Sequence, residues 1–334
     1  MAGSFVDCHC HLTADQFKDD LEAVLARAAR AHVRGILVCS SSPADVQQVI
    51  QLRRRHPELQ ICLGLHPLDC SFQEEWNTVR AVIANEHLDQ AIAGLGEIGL
   101  DFSRPLLRQK AQALGLTEAA VRQLQVKSFE AQLQLAEELQ LPVNVHSRNA
   151  EAETLEILER YKSVGATMAV MHAYKGPAWL AAEAAQLGRL YFSFPPSLVY
   201  KWEYQEAVKA LPLERLLLET DSPSLGSRGP KARNEPGFIR EAAQKMAELK
   251  GLTVEEVAAV TTRNALQLFP ALAQQAQEVQ QAESRPGRGR WVRKADSGDA
   301  DSVPKALPAT SLRRWKRMDP ALCSSAYGSA NRCE

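Results

Sequence analysis

The chain has 334 residues, 45% of them hydrophobic, which suffices for one large barrel or two ordinary domains. Its net charge of −1 gives no general signal for binding polyanions. Seven scattered cysteines without C-x-x-C spacing indicate free thiols in a reducing compartment, not a disulfide framework. Because the sequence shows neither a signal peptide nor an apolar run of membrane-spanning length, we expect an intracellular protein, cytoplasmic or nuclear.

Short apolar runs alternate with helical patterns along residues 5–270. The runs predict eight strands, at Phe5–Leu12, Gly35–Cys39, Ile61–Leu65, Ala91–Ile98, Pro142–His146, Met168–His172, Leu190–Phe194 and Arg215–Asp221. Apolar residues at helical spacing predict helices at 17–31, 43–56, 74–85, 106–114, 124–141, 151–161, 177–187, 237–249 and 253–269. This alternation is typical of a (β/α)₈ TIM barrel, with an open doubly wound sheet as the alternative. No glycine-rich nucleotide-binding loop follows any strand.

The composition changes after Pro270. Residues 271–334 are rich in Gln, Ser, Arg, Gly and Pro, and they carry 11 Lys and Arg against 7 Asp and Glu. We therefore predict a barrel domain over 1–270 and a disordered tail over 271–334. The remaining body has a charge of −5, which argues against a broad nucleic-acid-coating surface but not against a local phosphate pocket. The basic run Arg313–Arg317 is better explained as solvated charge than as a nuclear-import or nucleic-acid patch.

The first predicted strand carries two histidines at positions i and i+2. Side chains alternate along a strand, so His9 and His11 should share one face while Cys8 and Cys10 face the helices. Asp7 should lie on the histidine face one step deeper, as a supporting group and not as a metal ligand. The pair could bind a metal ion or consist of ordinary buried histidines, and these two residues alone do not decide.

Polar side chains recur at the C-terminal ends of the predicted strands. These ends converge on one mouth of a barrel, where active sites of this fold are built. The residues so placed are His9, His11, His66, Glu97, Asp101, His146, His172 and Asp221. Singly, a strand-end Asp often caps a helix and a lone His is often a core residue, but their joint placement favours a metal site.

Six of these residues are candidate metal ligands. They are His9, His11, Glu97, His146, His172 and Asp221. A single catalytic zinc usually takes three protein ligands, so six suit two divalent ions, such as zinc, magnesium or manganese, that share a carboxylate. Two ions about 3.5 to 4 Å apart can activate water and support an in-line displacement, which predicts a hydrolase. Asp221 is the natural group to accept the proton of the attacking water.

Cationic side chains follow several strand ends and suit an anionic substrate. Arg148 and Lys175 come shortly after His146 and His172, and Arg228, Lys231 and Arg233 follow the last strand. Arginine pairs with phosphate through its planar guanidinium. For Arg228 and Lys231 a solvated surface position is the favoured interpretation.

The ordered motifs resemble the TatD-type deoxyribonuclease family, metal-dependent hydrolases with a barrel fold. Any one motif is weak, whereas seven in order are highly specific. They are Asp7–Leu12, Gly64–Pro67, Gly96–Asp101, Pro142–Arg148, Glu219–Pro223, Asn234–Pro236 and, within the last helix, Asn264–Phe269. The longer segment between Asp101 and the helix near Leu124 departs from the family pattern and is expected to be irregular. The tail also lies outside the resemblance.

The resemblance implies roles for matching positions. One ion would be held by His9 and His11, the other by His146 and His172, with Glu97 bridging. Further implied positions are Asp221 at the shared water, His66 and Asp101 near the substrate, and Asn234 and Glu235 at the rim. The implied activity is endonucleolytic or 3′-exonucleolytic hydrolysis of DNA phosphodiester bonds with magnesium or zinc-like ions. DNA as the partner comes from the resemblance alone.

Two other functions remain as alternatives. A related barrel amidohydrolase would cleave a cyclic amide or lactone, commonly with a carbamylated lysine on the fourth strand. Residues 91–101 contain no lysine and carry Glu97 instead. A noncatalytic scaffold would require a degraded ligand set, and here the set is intact. The sequence shows no obligate protein partner and does not indicate an oligomeric state.

Overall fold

The computed structural model describes residues 3–69, 73–89, 91–161 and 168–272. Eight parallel strands form one sheet in sequential order. They are β1 Phe5–Cys10, β2 Val33–Cys39, β3 Gln60–Leu63, β4 Gly94–Asp101, β5 Val143–Arg148, β6 Ala169–Met171, β7 Leu190–Phe194 and β8 Leu216–Leu218.

Helices connect the strands around the outside. They are α1 Leu21–Arg30, α2 Pro43–Arg55, α3 Gln73–Leu88, α4 Arg104–Leu114, α5 Glu118–Glu138, α6 Glu151–Arg160, α7 Ala178–Ala185, α8 Trp202–Ala210, α9 Ile239–Lys250 and α10 Val254–Leu268. Sequence analysis missed α8, because this nine-residue helix buries only a short apolar stripe and so gives a weak periodic signal. Within the described ranges, none of the helices combines the length and apolar character needed to span a bilayer.

The sheet curls into a nearly closed barrel because β1 and β8 meet at their C-terminal ends. The Asp221 backbone N–H donates to the His9 carbonyl at 2.8 Å, and the His11 N–H donates to the Ser222 carbonyl at 2.8 Å. The predicted TIM barrel is therefore confirmed, and the open doubly wound sheet is excluded. These two bonds also place the His9–His11 segment directly beside Asp221.

The alternation predicted for β1 is wrong at Cys8. The register between β1 and β2 shifts between Asp7 and Cys10, and such an irregularity changes which face a side chain takes. Cys8 packs with Cys62 and Leu217 inside the barrel, whereas Cys10 packs with the helix-facing core. Asp7 is fully buried and is not part of the cavity wall. Its carboxylate accepts hydrogen bonds from Thr220 N and Oγ1 at 2.8 and 2.6 Å, which fits the supporting role predicted for it.

The segment after β4 is regular, contrary to the irregular stretch expected there. The helix α4 is continuous and ends at Gly115, whose φ of 65° suits a residue without a side chain. Thr117 then opens α5 by accepting a hydrogen bond from the Ala120 N–H at 3.2 Å. The sequence pattern missed the first turns of α5, residues 118–123.

The lower end of the barrel is filled by α10 and the residues after it. Phe269 is fully buried in the cluster that contains Cys62 and Val6, and Leu272 lies against Val6 and Gly35. Residues 271 and 272 thus pack with the barrel and do not belong to a tail. The rest of the predicted tail, 273–334, lies outside the described residues, as does its basic run.

Candidate active site

A cavity of about 710 Å³ opens at the C-terminal ends of the strands. Its walls include most of the residues predicted for the site: His11, His66, Glu97, Asp101, His146, Arg148, His172, Lys175 and Asp221. His9 lies fully buried behind them and contacts His11, Glu97 and Asp221. The fold therefore gathers all six candidate ligands, which are spread over more than two hundred positions of the sequence.

Glu97 occupies the centre of this group. Its Oε2 lies 3.7 Å from His9 Nε2 and 3.5 Å from His11 Nε2. Its Oε1 lies 2.5 Å from His146 Nδ1 and 2.8 Å from His172 Nε2. Each oxygen of one carboxylate thus faces a separate pair of histidines, which is the arrangement that a bridging ligand requires.

Asp221 lies beside the first histidine pair. Its Oδ1 is 3.6 Å from His9 Nε2 and 3.4 Å from His11 Nε2. The residue has a φ of 51°, a left-handed backbone conformation that Asp tolerates better than most residues. Together with the backbone bond to His9, this conformation holds the carboxylate at the cavity wall.

Hydrogen bonds fix the ring orientation of His9 and His11. Asn144 Nδ2 donates to the Cys8 carbonyl at 2.9 Å, so its Oδ1 faces His9 Nδ1 at 2.8 Å and must accept the imidazole proton. His11 Nδ1 similarly donates to the Cys39 carbonyl at 3.0 Å. In the neutral rings both Nε2 atoms then carry lone pairs, and they face each other at 3.1 Å. A cation or a proton must lie between them.

The second histidine pair, His146 and His172, also favours a bound cation. His146 Nε2 lies 3.2 Å from Asp101 Oδ2 and donates to it, which leaves Nδ1 without a proton in the neutral ring. That nitrogen is 2.5 Å from a carboxylate oxygen of Glu97 and 3.2 Å from His172 Nε2. Two acceptors therefore lie 2.5 Å apart, and His172 Nε2 lies 2.8 Å from the same Glu97 oxygen. A bound cation suits this arrangement, and His146 and His172 are able to hold one.

The ionised carboxylates of the site also favour a bound cation. Burial raises the pKa of Glu97, but the neighbouring His172, His66 and His146 outweigh it and hold this pKa well below its usual value. Burial would lower the pKa of His11, yet Asp221 and Glu97 raise it to about 9. The carboxylates are thus ionised at neutral pH, and a divalent ion can replace the proton they draw onto the imidazole.

Three compact groups of the described residues could each hold an ion. Within each group the ligand atoms lie within 4.8 Å of one another. The groups are His9–His11–Asp221, His66–Glu97–His146 and His9–His172–Glu219. His66, predicted near the substrate, thus lies close enough to join the metal group, with Nε2 at 3.8 Å from Glu97 Oε1. Asp101 lines the cavity, but its carboxylate is engaged, since it accepts from His146 Nε2 at 3.2 Å and from the Ser103 N–H at 2.9 Å.

Of the cationic residues predicted for substrate, only Arg148 and Lys175 line the cavity. Arg233 instead pairs with Asp20 at 2.8 Å, and Arg228 covers the ring of Phe238 at 4.4 Å. Lys231 is exposed and is not part of the cavity wall.

Asn234 and Glu235 also lie away from the cavity, contrary to the rim position expected for them. Asn234 Nδ2 donates to the carbonyls of Thr220 and Ser224 at 2.7 and 2.8 Å. Glu235 receives two hydrogen bonds from Arg27, both at 2.7 Å. They secure the segment after β8 instead of facing a substrate, because these tertiary bonds turn both side chains into the fold.

Sequence analysis missed three residues of the site. Asn144 orients His9, and the buried Glu219 lies 3.8 Å from His172 Nδ1 and accepts from Ser193 and the Ala173 N–H. Both precede a predicted ligand by two positions: Asn144 precedes His146 on β5, and Glu219 precedes Asp221 just after the end of β8. Alternation along the strand could therefore have found them. Lys201, which also lines the cavity, belongs to the loop before the missed helix α8.

Replacing Asn144 with alanine should weaken metal binding about 10- to 100-fold, the usual cost of losing a group that orients a metal-binding histidine. His9 would lose the acceptor that fixes its ring. A competition titration against a chromophoric chelator measures the effect. Asn264→Ala is the matched control, because Asn264 is an equally buried asparagine that donates to the carbonyls of Leu213 and Leu216. Equal losses in both variants would refute the orienting role.

The parallel barrel and its mouth of histidines and carboxylates define the class of barrel hydrolases. A family model described as TatD related DNase matches residues 6–270. Human "Deoxyribonuclease TATDN3" is 38% identical over 274 residues, covering 80% of this chain and 95% of that protein. "Uncharacterized metal-dependent hydrolase YabD" of Bacillus subtilis is 31% identical over 268 residues, covering 79% and 98%. The crystal structure of YJJV, a TatD homolog of Escherichia coli K12, has a TM-score of 0.71 at 27% identity, covering 81% and 99%.

The chain belongs to the TatD-related DNase family. The family predicted from the ordered motifs is thereby confirmed, and so is the class of activity, a hydrolase.

Proposed function

We propose that the protein hydrolyses phosphodiester bonds in DNA with two divalent metal ions. The observation that carries the proposal is the position of Glu97, whose two oxygens each face a separate histidine pair. A carboxylate so placed suits two ions side by side. The human relative is named a deoxyribonuclease, which supports DNA as the substrate.

The ligand assignment follows from the distances. His9, His11 and Asp221 would hold one ion, His146 and His172 the other, and Glu97 would bridge them. Zinc, magnesium and manganese are the candidate ions, and the imidazole-rich set favours zinc or manganese. When bound, such a pair lowers the pKa of water and offsets charge on the leaving oxygen.

Asp221 is the proposed catalytic base. Hydrogen bonding to His11, together with the charges of His9 and His11, holds its pKa below the usual value despite burial. The ionised carboxylate lies at the cavity wall, where it can accept a proton from a water molecule that attacks the phosphorus. Glu97 is already engaged on both oxygens and is less able to accept one.

Arg148, Lys175 and Lys201 are the proposed phosphate-binding residues. All three line the cavity, and their charges complement a phosphodiester. His66, which faces Glu97 from the cavity wall, would contact either the second ion or the substrate. Asp101 would act through His146 and not touch the substrate. We further propose the barrel, predicted over 1–270 and extending at least to Leu272, as the whole catalytic domain.

The amidohydrolase alternative finds less support. Its usual bridging group is a carbamylated lysine on the fourth strand, and β4 carries Glu97 at the centre of the site and no lysine. A scaffold function would not explain six polar ligands maintained in a buried cluster, because unpaired buried charges are costly.

Removal of metal tests the proposal. Protein treated with chelator should lose cleavage of labelled oligonucleotides and regain it with Mg²⁺, Mn²⁺ or Zn²⁺, while product lengths distinguish end-trimming from internal cutting. If none of these metals restores cleavage of DNA and the protein instead hydrolyses a cyclic amide or lactone, the amidohydrolase alternative is correct.

A further inference from the structure

Two tryptophans lie exposed at the rim of the cavity. Trp179 is 67% exposed in the first turn of α7, and Trp202 is 69% exposed at the first residue of α8. Each lies within two residues of a cavity-lining residue, Pro177 for Trp179 and Lys201 for Trp202. Because α7 and α8 pack together and both begin at the mouth, the two indoles belong to one side of it.

This concentration of apolar surface is unusual for the molecule. Of the seven large hydrophobic side chains exposed in the described ranges, four lie in this region: Trp179, Val199, Tyr200 and Trp202. Exposed aromatic residues grouped beside a polar cavity commonly mark a binding surface. A partner that needs both aromatic contact and cations would fit this one.

The cations adjoin the tryptophans. Lys175, Lys201 and Arg148 all line the cavity, and Lys201 Nζ lies 5.0 Å from the centre of the Tyr204 ring. Burial lowers the pKa of Lys201, and the nearby charges of Lys175 and Arg148 lower it further. Glu203, 3.7 Å from Lys175, and the carboxylate of Asp221 offset them in part. A polyanion would relieve this crowding of positive charge.

We propose that Trp179 and Trp202 form a stacking surface for unpaired bases of single-stranded DNA, beside the phosphate held by Lys175 and Lys201. The inference rests on the proposed function and adds the residues that set its strand specificity. Every base presents a π-face, so aromatic stacking tolerates any sequence, while cations follow the backbone. Paired bases inside a duplex are already stacked on each other and cannot use the indoles, so the surface selects unpaired strands.

The test measures binding of a labelled, cleavage-resistant phosphorothioate oligonucleotide to the full-length, metal-loaded protein by fluorescence anisotropy. Trp179→Ala and Trp202→Ala should each raise the Kd for a single strand about tenfold, within the range for one stacked base. Trp179→Phe and Trp202→Phe should retain most of the affinity. Leu88→Ala is the matched control, since Leu88 is 78% exposed at the end of α3, away from the mouth.

Salt dependence separates stacking from charge. The tryptophan variants should leave the slope of log Kd against log salt unchanged, whereas Lys201→Ala should reduce it by about 0.7, the value for one phosphate on a single strand. Affinity for a blunt duplex should change less than twofold in the tryptophan variants.

Three results would overturn the inference: unchanged single-strand affinity in both alanine variants, equal losses for duplex and single strand, or a shift in oligomeric state without a change in DNA binding. The last would assign the tryptophans to contact between copies of the chain. Tryptophan-dependent binding without cleavage of any phosphodiester would leave the stacking surface standing and refute the proposed function. Cleavage of DNA by the wild type, together with unaltered DNA binding in the tryptophan variants, would support the proposed function and refute the stacking surface.

Discussion

Replacing Glu97 with alanine should abolish DNA hydrolysis and remove most of the bound metal. Its two oxygens face both histidine pairs at 2.5 to 3.7 Å, so the change removes a ligand from each proposed ion at once. We expect the rate to fall at least about 10³-fold, because loss of a single stabilising donor in an active site already costs about 10² to 10³. Metal analysis of the purified variant and the initial rate on a labelled oligonucleotide measure both effects.

Two further variants test whether the loss of metal depends on the charge of Glu97 and on its position between the histidine pairs. Glu97→Gln keeps the shape but removes the charge, and it should also lose metal. Glu203→Gln is the control, because this glutamate lines the same cavity yet faces Lys175 and not the histidines. It should retain full metal content. If Glu97→Ala keeps two ions per chain, the bridging role of Glu97 is wrong.

Asp221→Asn should stop turnover while leaving much of the metal bound. The amide keeps the shape of the side chain and one oxygen able to face His9 and His11, but it cannot accept a proton from water. General-base catalysis typically contributes about 10²- to 10⁴-fold, so kcat should fall by that factor. Steady-state kinetics on an oligonucleotide, together with metal content, test the assignment.

The possible roles of Asp221 can be separated by comparing the loss of kcat with the loss of bound metal in Asp221→Asn. A large drop in kcat with metal retained is the result expected of a base. Loss of metal in proportion to activity would make Asp221 chiefly a ligand. Activity close to that of the wild type would show that another group accepts the proton.

The position of the candidate ligands could be predicted because it follows from topology. The carboxyl ends of parallel strands meet at one mouth of a barrel, so His9, Glu97, His146 and Asp221 converge whatever the details of packing. Only the alternation of apolar runs and helices was needed to place them. The identity of the substrate could not be obtained this way and came from the family resemblance.

Local departures from ideal strands could not be predicted. The register shift in β1 places Cys8 inside the barrel, and no feature of the residues around it signals an irregularity. Strict alternation therefore failed there, although it still placed His9 and His11 correctly at the mouth.

Loop residues were hardest to place, because their partners are distant in sequence. Glu235 is held by Arg27 and Arg233 by Asp20, each more than two hundred positions away. Such long-range ion pairs decide whether a polar loop residue faces the cavity or stabilises the fold. Short helices raise a related difficulty, since α8 carries Trp202 to the rim with too few apolar residues to be recognised.

We propose that two divalent ions lie on either side of Glu97. Anomalous diffraction from crystals of the metal-loaded protein tests it most directly, because the signal locates each ion independently of activity. We expect two peaks about 3.5 to 4 Å apart, one beside His9 and His11 and the other beside His146 and His172. A single peak, or peaks that do not contact Glu97, would contradict it.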